Sequence, residues 1–159
     1  MIINKIILNN LGPFVGENII TIKYSNKKPI KLIGGKNGAG KTTFFNSLKI
    51  GMYGCKAFGY EVNNANYFNK IAKLINDRIS IKENNEASVA ISITVDDGEH
   101  FGNYCIKRIW KRNKNNLTEE KMYFCDDKLL SEEDSSNFEN LIIHLIPPSL
   151  FEFYFFDGE

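Results

Sequence analysis

The sequence predicts an α/β fold organised around a phosphate-binding loop, and three observations carry that prediction. Gly35-Lys36-Asn37-Gly38-Ala39-Gly40-Lys41-Thr42 fits G-x-x-x-x-G-K-[ST] at every fixed position. The apolar run Ile30 to Ile33 leads straight into it, and Thr42 to Tyr53, free of proline and followed by Gly54, reads as the helix leaving it. From Ala87 the apolar period falls to two, with Val89, Ile91, Ile93 and Val95 alternating with Ala90, Ser92 and Thr94, so hairpin strands belong to the same domain.

The elements follow in order. Ile2 to Leu8 and Ile19 to Tyr24 are rich in β-branched and aromatic residues, and Gly12-Pro13 and Gly16 between them supply turn chemistry, which gives a strand, a turn and a strand. After the polar Ser25-Asn26-Lys27-Lys28-Pro29 turn, Ile30 to Ile33 is expected as a short buried strand. Tyr67, Phe68, Ile71, Leu74 and Ile75 fall at helical spacing and place an amphipathic helix over Asn66 to Asp77. The alternating strand turns at Asp96-Asp97-Gly98 into a second, Tyr104 to Lys111. A third, Lys121 to Cys125, turns at Asp126-Asp127. Ser131-Glu132-Glu133-Asp134 reads as a capping box opening a helix with Phe138, Leu141, Ile142 and Leu145 on its buried face. Pro147-Pro148 stops it, and the chain finishes on the apolar segment Ser149 to Glu159.

A length of 159 residues fits one domain with a sizeable core, and 43% hydrophobic against 25% charged residues is an ordinary globular balance. Lys plus Arg number 20 against 19 for Asp plus Glu, so net charge argues for neither a nucleic-acid nor a membrane partner, and any basic surface is local. Cys55, Cys105 and Cys125 are odd in number and far apart, which indicates neither a disulfide framework nor a zinc site; they read as buried thiols in a reducing compartment. No basic segment precedes a long apolar run, and Phe153 to Phe156 is far too short to span a bilayer, so the cytoplasm is expected.

The loop carries the chemistry. Its glycines let successive backbone N–H groups turn inward, and the following helix adds the positive end of its dipole. Lys41 is expected to reach the β- and γ-phosphates, the Thr42 hydroxyl to bind Mg²⁺, and Thr43 to help at the α-phosphate. The binding stretch is thus Gly35, Lys36, Asn37, Gly38, Ala39, Gly40, Lys41, Thr42 and Thr43, within which Lys36 and Ala39 occupy variable positions and have no chemistry of their own. Asn69-Lys70-Ile71-Ala72 lacks the Asp of a guanine-reading N-K-x-D motif, so ATP is favoured over GTP. A carboxylate must also organise Mg²⁺ and water. Asp96 reads instead as the turn of a half-exposed hairpin, whereas Phe153-Tyr154-Phe155-Phe156-Asp157 has the look of a Walker B strand, with Glu159 placed like a base.

Other features have plainer readings. Lys107, Arg108, Lys111, Arg112 and Lys114 crowd around Trp110; a solvated edge strand is preferred there over a phosphate-tracking stripe for DNA. His100 and His144 have no partner at metal spacing, and no catalytic His is assigned. Phe14 reads as core packing before it reads as a contact to a nucleotide base.

Three stretches together resemble a known family: the opening Ile6-Ile7-Leu8-Asn9-Asn10-Leu11-Gly12-Pro13-Phe14, the loop with Asn37-Gly38 and Thr42-Thr43, and the closing Ile146-Pro147-Pro148-Ser149-Leu150-Phe151 with Phe155-Phe156-Asp157-Gly158-Glu159. They resemble the N-terminal lobe of SMC-type ABC ATPases, and among them DndD, the ATPase of DNA phosphorothioate modification. The resemblance implies that residues 1–159 are one head lobe with a mixed and antiparallel sheet, and that Asp157 takes the Q-loop place where a Gln usually meets the metal and attacking water. It further implies a coiled coil and a C-terminal lobe bearing the signature motif, Walker B and a switch His, none of which occurs in these residues. On that basis the lobe alone is expected to hydrolyse ATP weakly or not at all. Two heads would close on two nucleotides as a homodimer. The implied partners are DNA, DndC and a cysteine desulfurase, with no membrane. A DNA-repair ATPase of the SbcC type paired with a nuclease, or another phage-defence ATPase, is the first alternative. The others are a non-hydrolysing nucleotide-binding module and a small P-loop kinase using Asp157 as Walker B and Lys41 with a basic residue as a lid, for which residues Arg108 to Arg112 are a poor candidate.

Overall fold

Alternation of β-branched and polar residues builds a single sheet before any helix is added. The computed structural model describes residues 1–25, 27, 30–76, 86–96, 98, 101–113 and 116–155. Strand β1 (Ile2–Leu11) turns through Gly12 and Pro13 into β2 (Phe14–Thr21), and helix α1 (Lys41–Tyr53) follows the glycine-rich loop. Helix α2 (Ala65–Leu74) precedes the hairpin pair β3 (Glu86–Asp96) and β4 (Phe101–Asn113), then β5 (Asn116–Cys125) and the short β6 (Lys128–Leu129). Helix α3 (Glu132–Leu145) and the one-turn α4 (Phe151–Tyr154) complete the order.

The sheet runs β2-β1-β3-β4-β5-β6. Every pairing among the described residues is antiparallel, as the antiparallel part of the expectation has it, and no parallel pair of a mixed sheet is found among them. Short turns link β1 to β2 and β5 to β6, and only antiparallel neighbours can be joined so tightly; a parallel pair needs a crossover.

One sheet face is the core face. Ala87, Val89, Ile91, Ile93 and Val95 of β3 are fully buried, as are Ile6 and Leu8 of β1, and each large apolar side chain so buried contributes roughly 1.5–3 kcal/mol. Helix α1 lies flush on β3 at Gly51, where a Cβ would stand 2.7 Å from Ile91 Cδ1. Tyr67 of α2 accepts a hydrogen bond from the Trp110 indole of β4 at 3.1 Å. Phe138 of α3 stacks on Tyr104 with ring centroids 4.3 Å apart and meets Tyr123 edge-on. Ser131 caps α3 by accepting from the Asp134 amide at 3.1 Å, as the box-like tetrad implies.

Several expectations are corrected. Residues 30–36 form no strand, and Ile30 and Leu32 are 79% and 93% exposed. An apolar run becomes a strand only with a ladder partner, and the six strands take their partners from one another. β2 begins at Phe14 rather than Ile19, because pairing with β1 starts directly at the turn, Leu11 opposite Phe14. α2 spans Ala65–Leu74, capped by the Asn64 side chain on the Tyr67 amide, and Asp77 lies outside the described residues.

β5 begins at Asn116 instead of Lys121, so residues 116–120 pair with 109–113 and β4, paired with β3 on its other side, is an interior strand, not an edge. Arg108 and Trp110 consequently point to the core and are buried, whereas Lys107 lies on the opposite face; Lys114 is outside the described residues. The three cysteines are free and half-buried rather than buried; burial pushes the Cys55 and Cys105 thiols up. No helix among the described residues is long and apolar enough to cross a membrane.

Candidate functional site

The phosphate loop stands at the amino end of α1. Gly38 and Gly40 hold φ of 78° and 94°, the left-handed region that costs an L side chain roughly 1–2 kcal/mol. Gly40 is required twice over, because a Cβ there would stand 2.4 Å from Pro13 Cγ and 3.2 Å from the Phe14 ring. The first turn of α1 has no side-chain cap and no acidic residue, so no side chain competes with an anion for its amides. The loop is partly self-bonded, the Ala39 amide donating to the Lys36 carbonyl at 3.0 Å.

The structure brings Gly35 through Thr43 together but places their side chains differently. The Lys41 ammonium arches back over the loop and donates to the Gly35 and Lys36 carbonyls at 3.2 and 3.4 Å. Thr42 is exposed. Thr43 instead packs on the β1–β2 turn, its Cγ2 2.6 Å from where a Gly12 Cβ would be, so its hydroxyl is held against the protein. A glycine cradle, an uncapped helix end, an ammonium above it and an exposed hydroxyl are the donor set that a polyphosphate and Mg²⁺ require, so the residues present fit both.

Sequence reasoning missed what fixes this cradle. The turn Gly12-Pro13-Phe14 is the wall behind Gly40, and the chain after α2 buttresses it. Gly12 N donates to the Leu74 carbonyl at 2.6 Å, Asn76 N donates to Asn10 O at 3.0 Å, and the Asn76 side-chain amide donates to the Gly12 carbonyl. Asn10 itself holds φ 58° while its side chain accepts from Gly16 N at 2.9 Å and donates to Glu86 O at 3.0 Å. Asparagine near a Gly-Pro turn was the available signal, since Asn tolerates the left-handed region and bonds locally.

Asp157 and Glu159 lie outside the described residues, and so does His100. The segment leading to Asp157 is anchored on α1: Tyr53 Oη donates to the Ile146 carbonyl at 2.7 Å, Lys49 Nζ stands 3.1 Å from Glu152, and Phe151 meets Tyr53 edge-on. Phe151–Tyr154 are helical, so Phe153 and Tyr154 do not form the start of a strand of Walker B look, and Phe156 lies outside the described residues. Asp96 ends β3 opposite Phe101, exposed, as a hairpin residue. His144 is exposed on α3. Among the described residues no group of three or more His, Cys, Asp or Glu side chains gathers to hold a metal.

A family model described as an AAA domain matches residues 5–159. Over 50 residues, 31% of the chain, the sequence is 44% identical to the SbcC component of nuclease SbcCD from Staphylococcus haemolyticus (strain JCSC1435). It is 42% identical over 50 residues to the SbcC component of nuclease SbcCD from Treponema pallidum (strain Nichols). Each match covers 5% of the relative, so the chain spans only a small part of the curated relatives it matches.

Proposed function

The chain belongs to the AAA-domain family of P-loop ATPases, and from that premise we propose that it is the ATP-binding lobe of an SMC-type ATPase of the SbcC kind, acting with DNA. The observation that carries this reading is the glycine cradle at the uncapped end of α1, with Lys41 arched over it. Gly35 through Thr42 would hold the phosphates, Lys41 would neutralise the β- and γ-phosphates, and Thr42 with Asp157 would hold Mg²⁺, whose charge would offset that developing on the transferred phosphoryl group. Thr43 acts from the α1 side as packing for the turn.

The relatives are named as components of a nuclease, which supports a nuclease as companion in preference to the DndC and cysteine desulfurase of the DndD reading. The DndD reading keeps one sequence observation, Asp157 where a Gln usually stands. The kinase alternative loses support, because a helix precedes Asp157 and Arg108 is buried where a mobile lid would need it exposed.

The head is completed by the protein's own C-terminal lobe. Ile30 and Leu32 expose apolar surface, and beside them a cleft of about 380 Å³ is lined by Ile22, Tyr24, Ile33, Phe44 and Phe155. In this reading residues 30–33 gain their ladder partner from that lobe, and two such heads close on ATP as a homodimer.

The test is ATP turnover and oligomeric state of residues 1–159 with and without a separately expressed C-terminal portion of the protein. Turnover and dimerisation that require both pieces and vanish in Lys41→Ala support the reading. Robust turnover by the 159 residues alone sinks it.

A further inference from the structure

Arg108 is a buried charge that the phosphate chemistry does not use. The residue is 4% exposed, and its guanidinium makes three hydrogen bonds to two elements, α1 and β5. Nε donates to the Gly51 carbonyl of α1 at 2.9 Å, Nη1 to Glu119 Oε1 of β5 at 2.8 Å, and Nη2 to the Tyr123 hydroxyl of β5 at 3.2 Å. The Tyr123 hydroxyl donates onward to the Glu139 carboxylate of α3, which also accepts from Lys121 Nζ at 2.8 Å. Asn63, in the chain entering α2, donates to the second Glu119 oxygen at 2.7 Å.

The carboxyl end of α1 is shaped for this contact. Gly54 holds φ 58°, and a Cβ there would stand 2.7 Å from Arg108 Nη1, so the helix stops against the guanidinium. Packing does only part of the joining: Tyr123 meets Phe138 edge-on, but beside them a cleft of about 400 Å³ opens among Tyr53, Glu61, Asn63, Lys121, Glu139 and Ile143. Hydrogen bonds carry the connection across it. A planar five-donor fork can bind three directions at once, which an ammonium on a flexible stem cannot.

We propose that Arg108 is a positioning residue of the nucleotide site, acting through α1: it fixes the carboxyl end of the helix whose amino end is the phosphate loop, and it ties that end to β5 and, through Tyr123 and Glu139, to α3. A change in α1 on nucleotide binding is thereby registered in elements that never touch the phosphates. The inference rests on the nucleotide-binding reading above and adds a residue and a direction of coupling to it.

The experiment measures MgATP affinity and amide hydrogen exchange of the full-length protein, with and without MgATP. In the wild type, MgATP slows exchange in residues 35–53 and also in 116–125 and 132–145. Arg108→Met alone leaves the buried Glu119 carboxylate without its cation and can prevent folding, so the main variant is Arg108→Met with Glu119→Leu. Its MgATP affinity is expected to fall roughly tenfold. At saturating MgATP it keeps protection of 35–53 but loses it in 116–125 and 132–145. Glu139→Gln, at the partly exposed end of the chain of bonds, is expected to lose protection in 132–145 alone.

Unchanged affinity and unchanged remote protection in the double variant overturn the proposal; if that variant does not fold, full protection of 132–145 in Glu139→Gln overturns it. A wild type that binds no MgATP overturns the nucleotide-binding reading instead, and the absence of protection in 35–53 identifies that case.

Discussion

The hydroxyl of Tyr53, in the last turn of α1, donates to the carbonyl of Ile146 across 93 positions of sequence at 2.7 Å. One helix therefore opens at the phosphate loop and closes by holding the chain that leads toward Asp157. Burial pushes the Tyr53 phenol well above its usual range, so it remains a donor at any physiological pH. Tyr53→Phe leaves the Ile146 carbonyl without its donor in a buried place and is expected to cost about 1–3 kcal/mol. Urea denaturation of the two proteins measures it; an unchanged midpoint would mean that water replaces the hydroxyl.

Gly40→Ala meets two penalties, a left-handed φ of 94° and a Cβ 2.4 Å from Pro13. Destabilisation of about 1–3 kcal/mol is expected, with the β1–β2 turn pushed off the loop and MgATP affinity reduced. Calorimetric titration with MgATP checks it. Gly38→Ala shares the positive φ but meets no neighbour, so it serves as the comparison that isolates the steric part.

Glu139 gives a pH dependence of definite sign. Burial works to raise its carboxyl, but hydrogen bonds from Lys121 and Tyr123, with the charges of Lys121 and Arg108, outweigh it and hold the group below its usual value of 4.5. A folded-state value below the unfolded one contributes stability that is present above the unfolded value and lost as pH falls through the folded one. Wild-type stability should therefore drop more steeply than that of Glu139→Gln as pH falls below about 4.5. Parallel slopes for the two proteins in acid would remove Glu139 from the account.

Leu32→Ser tests the exposed run before the loop. Leu32 is 93% exposed, so the change should move the stability of residues 1–159 by no more than about 0.5 kcal/mol. Self-association of this lobe, followed by sedimentation velocity, should decrease, because an exposed apolar strand-former is an invitation to pair. A large loss of stability would show that residues 30–33 are packed in solution.

How far the sequence could be read depended on whether each side chain's partner is local. β3 was legible because every second residue from Ala87 to Val95 is buried on one face, and period two is visible in a single stretch. The glycine loop was legible because its backbone demands are written in residue type. Ile30 to Ile33 misled because apolarity states a need for burial without naming the partner, and no ladder partner is found for it among the described strands. Arg108 was hidden by its charge. Its parity with Ile106 and Trp110, both buried, was the signal that it faces inward, whereas composition alone assigns a Lys/Arg-rich strand to solvent.

The flush contact of Gly51 on Ile91 and Val89 has a geometric consequence for the loop. Gly51 lies ten residues from Lys41, and at 1.5 Å of rise per residue the arm between them is roughly 15 Å long. A tilt of about 5° about that fulcrum carries the loop end through roughly 1.3 Å, a displacement of the size that spoils alignment of reacting groups. Position 51 therefore sets the aim of Lys41 from a distance, and a methyl group added there would be read out as a pointing error at the phosphates.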